Sequence, residues 1–134
     1  RSGVAAMLAG RPLLDWARAV QQHAERDCGY KLIRGLGGHG YGRKLHGPPF
    51  VSNVTPRYHG EWPDAFTKFR PGMLLAVEPM IALGTEYIKA DGKKSAIRTA
   101  DGSNAVHYEA DVLIAEDGPR DLTEGMQDLP DVVG

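Results

Sequence analysis

The sequence is poor in cysteine and contains no long apolar run. Cys28 is the single cysteine among 134 residues, which excludes an internal disulfide framework and a zinc site built from cysteine pairs. No apolar stretch approaches the roughly 20 residues that a membrane-spanning helix requires, and no basic start followed by an apolar core marks a secretory signal. We therefore expect a cytoplasmic protein without a membrane partner.

A concentration of charge of one sign is also missing. Sixteen Lys and Arg balance seventeen Asp and Glu, and no long block of like charge occurs. Because binding to a phosphate backbone requires a basic stripe, nucleic acid is not an expected partner. A starting Met is absent as well, and residues 1–9 have the composition of the last turns of a helix. We interpret the sequence as a fragment of a longer protein.

The first third of the chain predicts one long amphipathic helix. It follows Pro12, and Gly29 then suits a C-terminal cap. A short strand is predicted at 30–33. The apolar residues of the helix recur at three- and four-residue steps: Leu13, Leu14, Ala17, Val20, Ala24 and Cys28.

The remainder predicts extended structure with turns. Six glycines from Gly29 to Gly42, followed by Pro48 and Pro49, exclude a helix there. Mostly apolar strands are predicted at 73–81 and 105–115, with hairpin turns near 91–94 and 116–118 and a loop at 53–70. One long helix followed by strands and turns indicates a chain that contains both helix and sheet. Residues 1–123 form one unit, and the acidic tail at 124–134 is expected to be poorly ordered.

Two strand-borne carboxylates need an explanation. Glu78 lies in an apolar strand, where an ionised carboxylate is costly unless a cation or several donors compensate it; a salt bridge to a buried Arg or Lys would also do so. Glu109 shares one face of an alternating strand with His107 and Asp111. Such a face is either a site or the solvent side of a sheet.

Two histidines follow in or near the glycine-rich segment. His39 lies between Gly38 and Gly40, where a metal ion or ligand can approach the backbone closely, although such a histidine can also be merely solvated. One His and two Glu suit Zn, Mn, Fe or Co. His46 is either an ordinary loop imidazole or a donor to a substrate carbonyl.

Four motifs follow one another along the chain: Gly38-His39-Gly40-Tyr41-Gly42-Arg43-Lys44-Leu45-His46, Arg70-Pro71-Gly72-Met73, Val77-Glu78-Pro79-Met80 and His107-Tyr108-Glu109. Taken in order, they resemble the motifs of type I methionine aminopeptidases in the pita-bread metallopeptidase superfamily. The resemblance runs from about Leu8 to about Thr123. Met80 separates it from the prolidase and aminopeptidase P branch, where Gly is usual at that position.

The resemblance implies the α+β fold class: half of a pita-bread fold, with the long helix packed on a curved, mainly antiparallel sheet. It also implies removal of N-terminal methionine from nascent proteins. In that family two divalent metal ions (Co, Mn, Fe or Zn) activate a hydroxide that attacks the peptide. The resemblance makes His39, Glu78 and Glu109 metal ligands, with Glu78 also carrying a proton and His46 contacting the substrate. It places Leu45 in the substrate pocket.

The resemblance also implies that the site is incomplete. Two aspartate ligands and a further histidine come from an N-terminal half that this sequence lacks, so the chain alone is expected to be inactive and to retain at most one ion weakly. It should need the missing half or self-associate. His107 stands in the pocket where Gln is usual. The alternatives are a non-catalytic pita-bread binding module that has lost its metals and a prolidase-like or aminopeptidase P-like peptidase.

Overall fold

The computed structural model describes residues 1–90, 92 and 96–128, and all structural statements below refer to them. Helix α1 spans Ser2–Ala5 and α2 spans Leu14–Gln21, and α2 continues as a π-helix over Gln22–Asp27. The predicted long helix is confirmed, and Gly29 ends it with a φ of 77°. Short 3-10 helices cover Pro63–Phe66 and Glu124–Asp128. Residues 129–134 lie outside the described residues, so the poorly ordered tail stays a prediction.

Ten strands form three antiparallel sheets. The five-stranded sheet has the order β10-β9-β4-β2-β3, the three-stranded sheet β1-β5-β8, and β6 pairs with β7. The strands are β1 Lys31–Leu32, β2 Gly37–Gly40, β3 Gly47–Ser52, β4 Leu74–Val77, β5 Met80–Ala82, β6 Ile88–Lys89, β7 Arg98–Thr99, β8 Ala105–His107, β9 Ala110–Ala115 and β10 Gly118–Asp121.

The core lies between α2 and the five-stranded sheet. Helix α2 buries Trp16, Ala17 and Val20, and the sheet buries Leu75 and Ile114 in the same apolar cluster. Full burial of such side chains contributes about 1.5–3 kcal/mol each, which makes this cluster the main source of stability. The predicted α+β class with a helix on antiparallel sheet is confirmed. Among the described residues, no helix is both long and apolar enough to cross a membrane.

The two predicted apolar strands are each interrupted, and on this point the prediction was wrong. The segment 73–81 divides into β4 and β5 at Glu78 and Pro79, and the segment 105–115 divides into β8 and β9 at Tyr108 and Glu109. Proline has no backbone N–H to donate, so the ladder cannot continue through Pro79. Because β4 pairs with β9 and β5 pairs with β8, both breaks fall at the junction between the two larger sheets.

Candidate metal centre

His39 is carried by β2, which lies directly beside β4. Its register partner on β4 is Ala76. A Cβ on Gly38 would overlap the Ala76 carbonyl oxygen, so glycine at this position allows the two strands to approach. Since β4 runs between β2 and β9, the strand order places Glu78, at the end of β4, between His39 and Glu109.

The three predicted ligands converge, as the sequence analysis expected. One donor atom from each of His39, Glu78 and Glu109 lies within 4.8 Å of the other two. The Nε2 atom of His39 is 3.4 Å from Oε1 of Glu78, and these side chains are 13% and 12% exposed, whereas Glu109 is exposed. One imidazole and two carboxylates at such separations fit a divalent ion of the Zn, Mn, Fe or Co type.

The orientation of His39 also suits a ligand. Its Nδ1 lies 3.2 Å from the Gly40 carbonyl oxygen. A carbonyl oxygen only accepts, so this hydrogen bond requires a proton on Nδ1. In the neutral ring, the lone pair then lies on Nε2, the nitrogen that faces Glu78. A backbone carbonyl that holds the far nitrogen is a common way of fixing a metal-binding histidine.

The other sequence-predicted residues surround this cluster unequally. The ring of His46 packs edge-on against His39 with centroids 4.5 Å apart, and His46 is exposed. His107 reaches Glu78 from the opposite side, with Nε2 3.2 Å from Oε2. Leu45 is 66% exposed on the loop before His46. The pocket roles of Leu45 and His107 therefore stay predictions.

The three converging side chains lie in a segment that matches a known protein family. The profile of metallopeptidase family M24 matches residues 1–116, a range that includes all three converging side chains. The chain belongs to family M24.

Curated relatives within this family are methionine aminopeptidases. That of Aquifex aeolicus is 41% identical over 117 residues, which cover 87% of this chain and 43% of the relative. Methionine aminopeptidase 1 of Mycobacterium tuberculosis is 39% identical over 130 residues, covering 93% of this chain and 47% of the relative. The chain thus spans less than half the length of these M24 relatives.

Solved structures give the same result for the fold. Methionine aminopeptidase from Thermotoga maritima superposes with a TM-score of 0.77 at 33% identity, covering 90% of this chain and 46% of that one. An Xaa-Pro dipeptidase from Bacillus anthracis superposes with a TM-score of 0.59 at 22% identity, covering 92% of this chain and 27% of that one. The latter bears on the fold alone. The predicted half of a pita-bread fold is confirmed.

Sequence reasoning missed a tyrosine–aspartate pair in this M24 chain. The hydroxyl of Tyr41 donates to Oδ1 of Asp111 at 2.7 Å, and the Tyr41 ring packs edge-on against His39. The hydrogen bond to Asp111, then burial, then the negative charges of Asp111, Glu109 and Glu78 raise the pKa of Tyr41 above its ordinary range. Tyr41 and Asp111 each stand two residues beyond a predicted ligand, so the two-residue period of strands could have indicated them.

A buried asparagine was also missed. Asn53 is fully buried, and its Nδ2 donates to the Glu78 backbone carbonyl at 2.7 Å. Its Oδ1 is buried without a hydrogen-bond partner among the described residues. The bond fixes the backbone at the residue that carries the central carboxylate. Because the segment 53–70 reads as an irregular loop, no period in the sequence indicates this role.

An apolar groove of about 350 Å³ adjoins the metal centre. His107 borders it, so the groove and the carboxylate of Glu78 share one side chain. Strands β5 and β8 of the three-stranded sheet line part of this groove. Its apolar lining comes from Ile33, Leu36, Met80, Ile88, Ile97, Ala105 and Val106.

Proposed function

We propose that this chain is part of a methionine aminopeptidase, in which His39, Glu78 and Glu109 bind divalent ions of Co, Mn, Fe or Zn. The observation that carries the proposal is the convergence of these three side chains within 4.8 Å in a chain of family M24. The substrate would be the N-terminus of a peptide or nascent protein. A nascent substrate and a single cysteine support a cytoplasmic location.

The relatives support methionine over other N-terminal residues. Two relatives named methionine aminopeptidase are 41% and 39% identical to this chain. The groove beside His107 supports an apolar first residue, because its lining is mostly apolar, with Arg98, Thr99 and His107 as the polar members.

The side chains divide the chemistry among them. Bound divalent ions would polarise the scissile carbonyl and supply a nucleophile at neutral pH. Glu78 is largely buried and central, so its carboxylate is placed to accept a proton and pass it to the leaving amine. His46, packed on His39 and accessible from solvent, is placed to donate to the substrate carbonyl. Glu109, as the exposed carboxylate, would bridge the two ions.

The isolated chain should nevertheless be inactive. Two divalent ions bring four positive charges, and the converging cluster offers two carboxylates, so the second ion lacks anionic ligands that offset its lost hydration. The chain also spans only 43% of the Aquifex aeolicus enzyme. We therefore propose that the remainder of the domain is its partner and supplies further ligands. Exposed apolar side chains such as Val106 on β8 and Leu83, directly after β5, support a missing partner or self-association.

A chimera tests this function. The 117 aligned residues of the Aquifex aeolicus enzyme would be replaced by those of this chain, and methionine release from a Met-Ala-Ser peptide measured with Co, Mn or Fe added. We expect release by the chimera and none by the 134-residue chain alone. His39→Ala should abolish release, while His59→Ala, an exposed histidine outside the cluster, should not. A folded, metal-loaded chimera without activity would contradict the proposal, as would hydrolysis by the chain alone.

A further inference from the structure

His107 is outside the converging group of three, yet it contacts that group's central member. Glu78 has two carboxylate oxygens, and each faces a different imidazole: Oε1 is 3.4 Å from Nε2 of His39, and Oε2 is 3.2 Å from Nε2 of His107. His107 is half exposed and so remains accessible to an ion from solvent. Glu78 is thus flanked by an imidazole nitrogen on each side.

Both separations match the spacing of two ligands on one metal ion. With metal–nitrogen and metal–oxygen bonds of about 2.1 Å, two ligands of a tetrahedral ion lie about 3.4 Å apart, and neighbouring ligands of an octahedral ion about 3.0 Å apart. The distances from Glu78 to His39 and to His107 fall at and between these values. Two imidazole–carboxylate pairs of ligand spacing are therefore present, one on each oxygen of the same carboxylate.

The backbone holds His107 in this position. His107 is paired with Met80 in the β8–β5 ladder, and Val77 is paired with Ala110 in the β4–β9 ladder. Between these two pairs, the Tyr108 N–H donates to the Pro79 carbonyl at 3.2 Å. The break at Glu78 and Pro79 therefore lies beside the break at Tyr108 and Glu109, and the hydrogen bond joins them. This arrangement places His107 and Glu109 near Glu78.

We propose that His107 is a fourth metal ligand of this chain, a second imidazole that binds an ion together with Glu78. The inference rests on the proposed metal-dependent function and deepens it. Imidazole ligands favour Co, Ni and Zn over Mn and Mg, which prefer oxygen. A second imidazole therefore shifts the preference of this site towards the nitrogen-seeking ions.

The rival explanation is a simple ion pair between His107 and Glu78, and it predicts the opposite sign. An imidazolium that occupies Oε2 competes with a cation, so its removal would leave metal affinity unchanged or higher. A ligand's removal lowers affinity. If His107 is a ligand, the loss of affinity on replacing it differs between metal ions. If His107 only forms an ion pair with Glu78, the change in affinity is the same for all divalent ions.

The test is a metal titration of the purified chain, with its fold checked by circular dichroism. Co²⁺ and Mn²⁺ affinities would be measured by calorimetry for wild type, His107→Gln and His39→Gln, with His59→Gln as the matched control. We expect His107→Gln to weaken Co²⁺ binding by at least roughly tenfold, the lower bound for changes beside a metal site, and Mn²⁺ binding by less. His59→Gln should change neither affinity.

A second readout counts the imidazoles directly. In the proton NMR spectrum of the chimera described above, loaded with two Co²⁺ per molecule, each bound histidine of this chain gives its own strongly shifted, exchangeable N–H signal. We expect two such signals from the chimera and one fewer from its His107→Gln variant. One signal, or unchanged or tighter Co²⁺ binding by His107→Gln while His39→Gln loses it, would overturn the inference and leave the proposed function intact. A folded wild-type chain that binds no Co²⁺ would contradict the ligand set of both.

Discussion

The two larger sheets of this chain differ in what covers them. The five-stranded sheet packs its apolar face against the helix, and Leu75 on β4 is 1% exposed. The three-stranded sheet carries β8, all three of whose residues are exposed, including Val106 at 59%. The five-stranded sheet therefore supplies more of the buried core, whereas the three-stranded sheet buries Leu32 and Ala82 but leaves the apolar surface of β8 accessible.

The metal centre occupies the boundary between these two regions. Glu78 continues a strand of the covered sheet, while His107 ends a strand of the uncovered one. The covered sheet can hold the carboxylate in place, and the uncovered sheet can offer a surface to a substrate or to the rest of the domain. This division predicts that substitutions at the boundary change binding and that substitutions in the covered sheet change folding.

The largest effect should come from loss of Glu109, a proposed carboxylate ligand. Glu109→Gln removes an anionic ligand and should lower the Co²⁺ affinity of the chain by at least about 100-fold, since changes to groups that merely support a ligand already cost 10–100-fold. The free energy of unfolding without metal should change by no more than about 0.5 kcal/mol, because Glu109 is exposed. Calorimetric titration and urea unfolding measure the two quantities.

Glu116→Gln is the matched control for that experiment. It makes the same charge change at an exposed glutamate beyond β9, outside the converging group. Its Co²⁺ affinity should equal that of wild type. Equal losses in the two variants would show that overall charge, rather than ligation, governs binding.

The next effect separates the two sheets by stability. Leu75→Ala should destabilise the chain by about 2–5 kcal/mol, because it leaves a cavity in the packed core. Val106→Ala, on the uncovered sheet, should cost no more than about 0.5 kcal/mol. Urea unfolding of both variants measures the difference. Similar losses would mean that the exposed sheet is covered in solution, for example by a second copy of the chain, and sedimentation would then reveal the dimer.

The sequence predicted the covered region better than the boundary. The spacing of Leu14, Ala17 and Val20 indicates a helix because one buried face recurs with the helical period. The break at Tyr108 has no such periodic signal, since it depends on pairing with a strand about 30 residues away. The break at Pro79 did have a local signal, the proline itself, which the prediction from apolar composition left out. Apolar composition alone therefore predicted two unbroken strands.

The candidate site divides in the same way. The convergence of His39, Glu78 and Glu109 could be predicted from motifs in a fixed order. The two-residue period could have indicated Tyr41 and Asp111 individually, but not the contact between them, because it joins residues 70 positions apart across an intervening strand. Asn53 could not either, since its partner is a backbone carbonyl, which leaves no trace in side-chain identity.

The smallest expected effect concerns that tyrosine. Because its hydrogen bond to Asp111 and its burial raise the pKa of Tyr41, the folded state keeps the phenol proton at pH values where the unfolded chain loses it. This contribution to stability is complete below the ordinary tyrosine pKa of about 10 and is lost as the pH rises further, towards the raised value.

Tyr41→Phe should cost about 1 kcal/mol at neutral pH, the net worth of one hydrogen bond, and should reduce the fall in stability above pH 10. Urea unfolding of wild type and Tyr41→Phe at neutral pH and above pH 10 measures this, with Tyr58→Phe, an exposed tyrosine, as the control. If wild type and Tyr41→Phe lost stability in parallel above pH 10, the hydrogen bond from Tyr41 to Asp111 would not contribute to the free energy of unfolding. The boundary would then be stabilised by its backbone ladders alone.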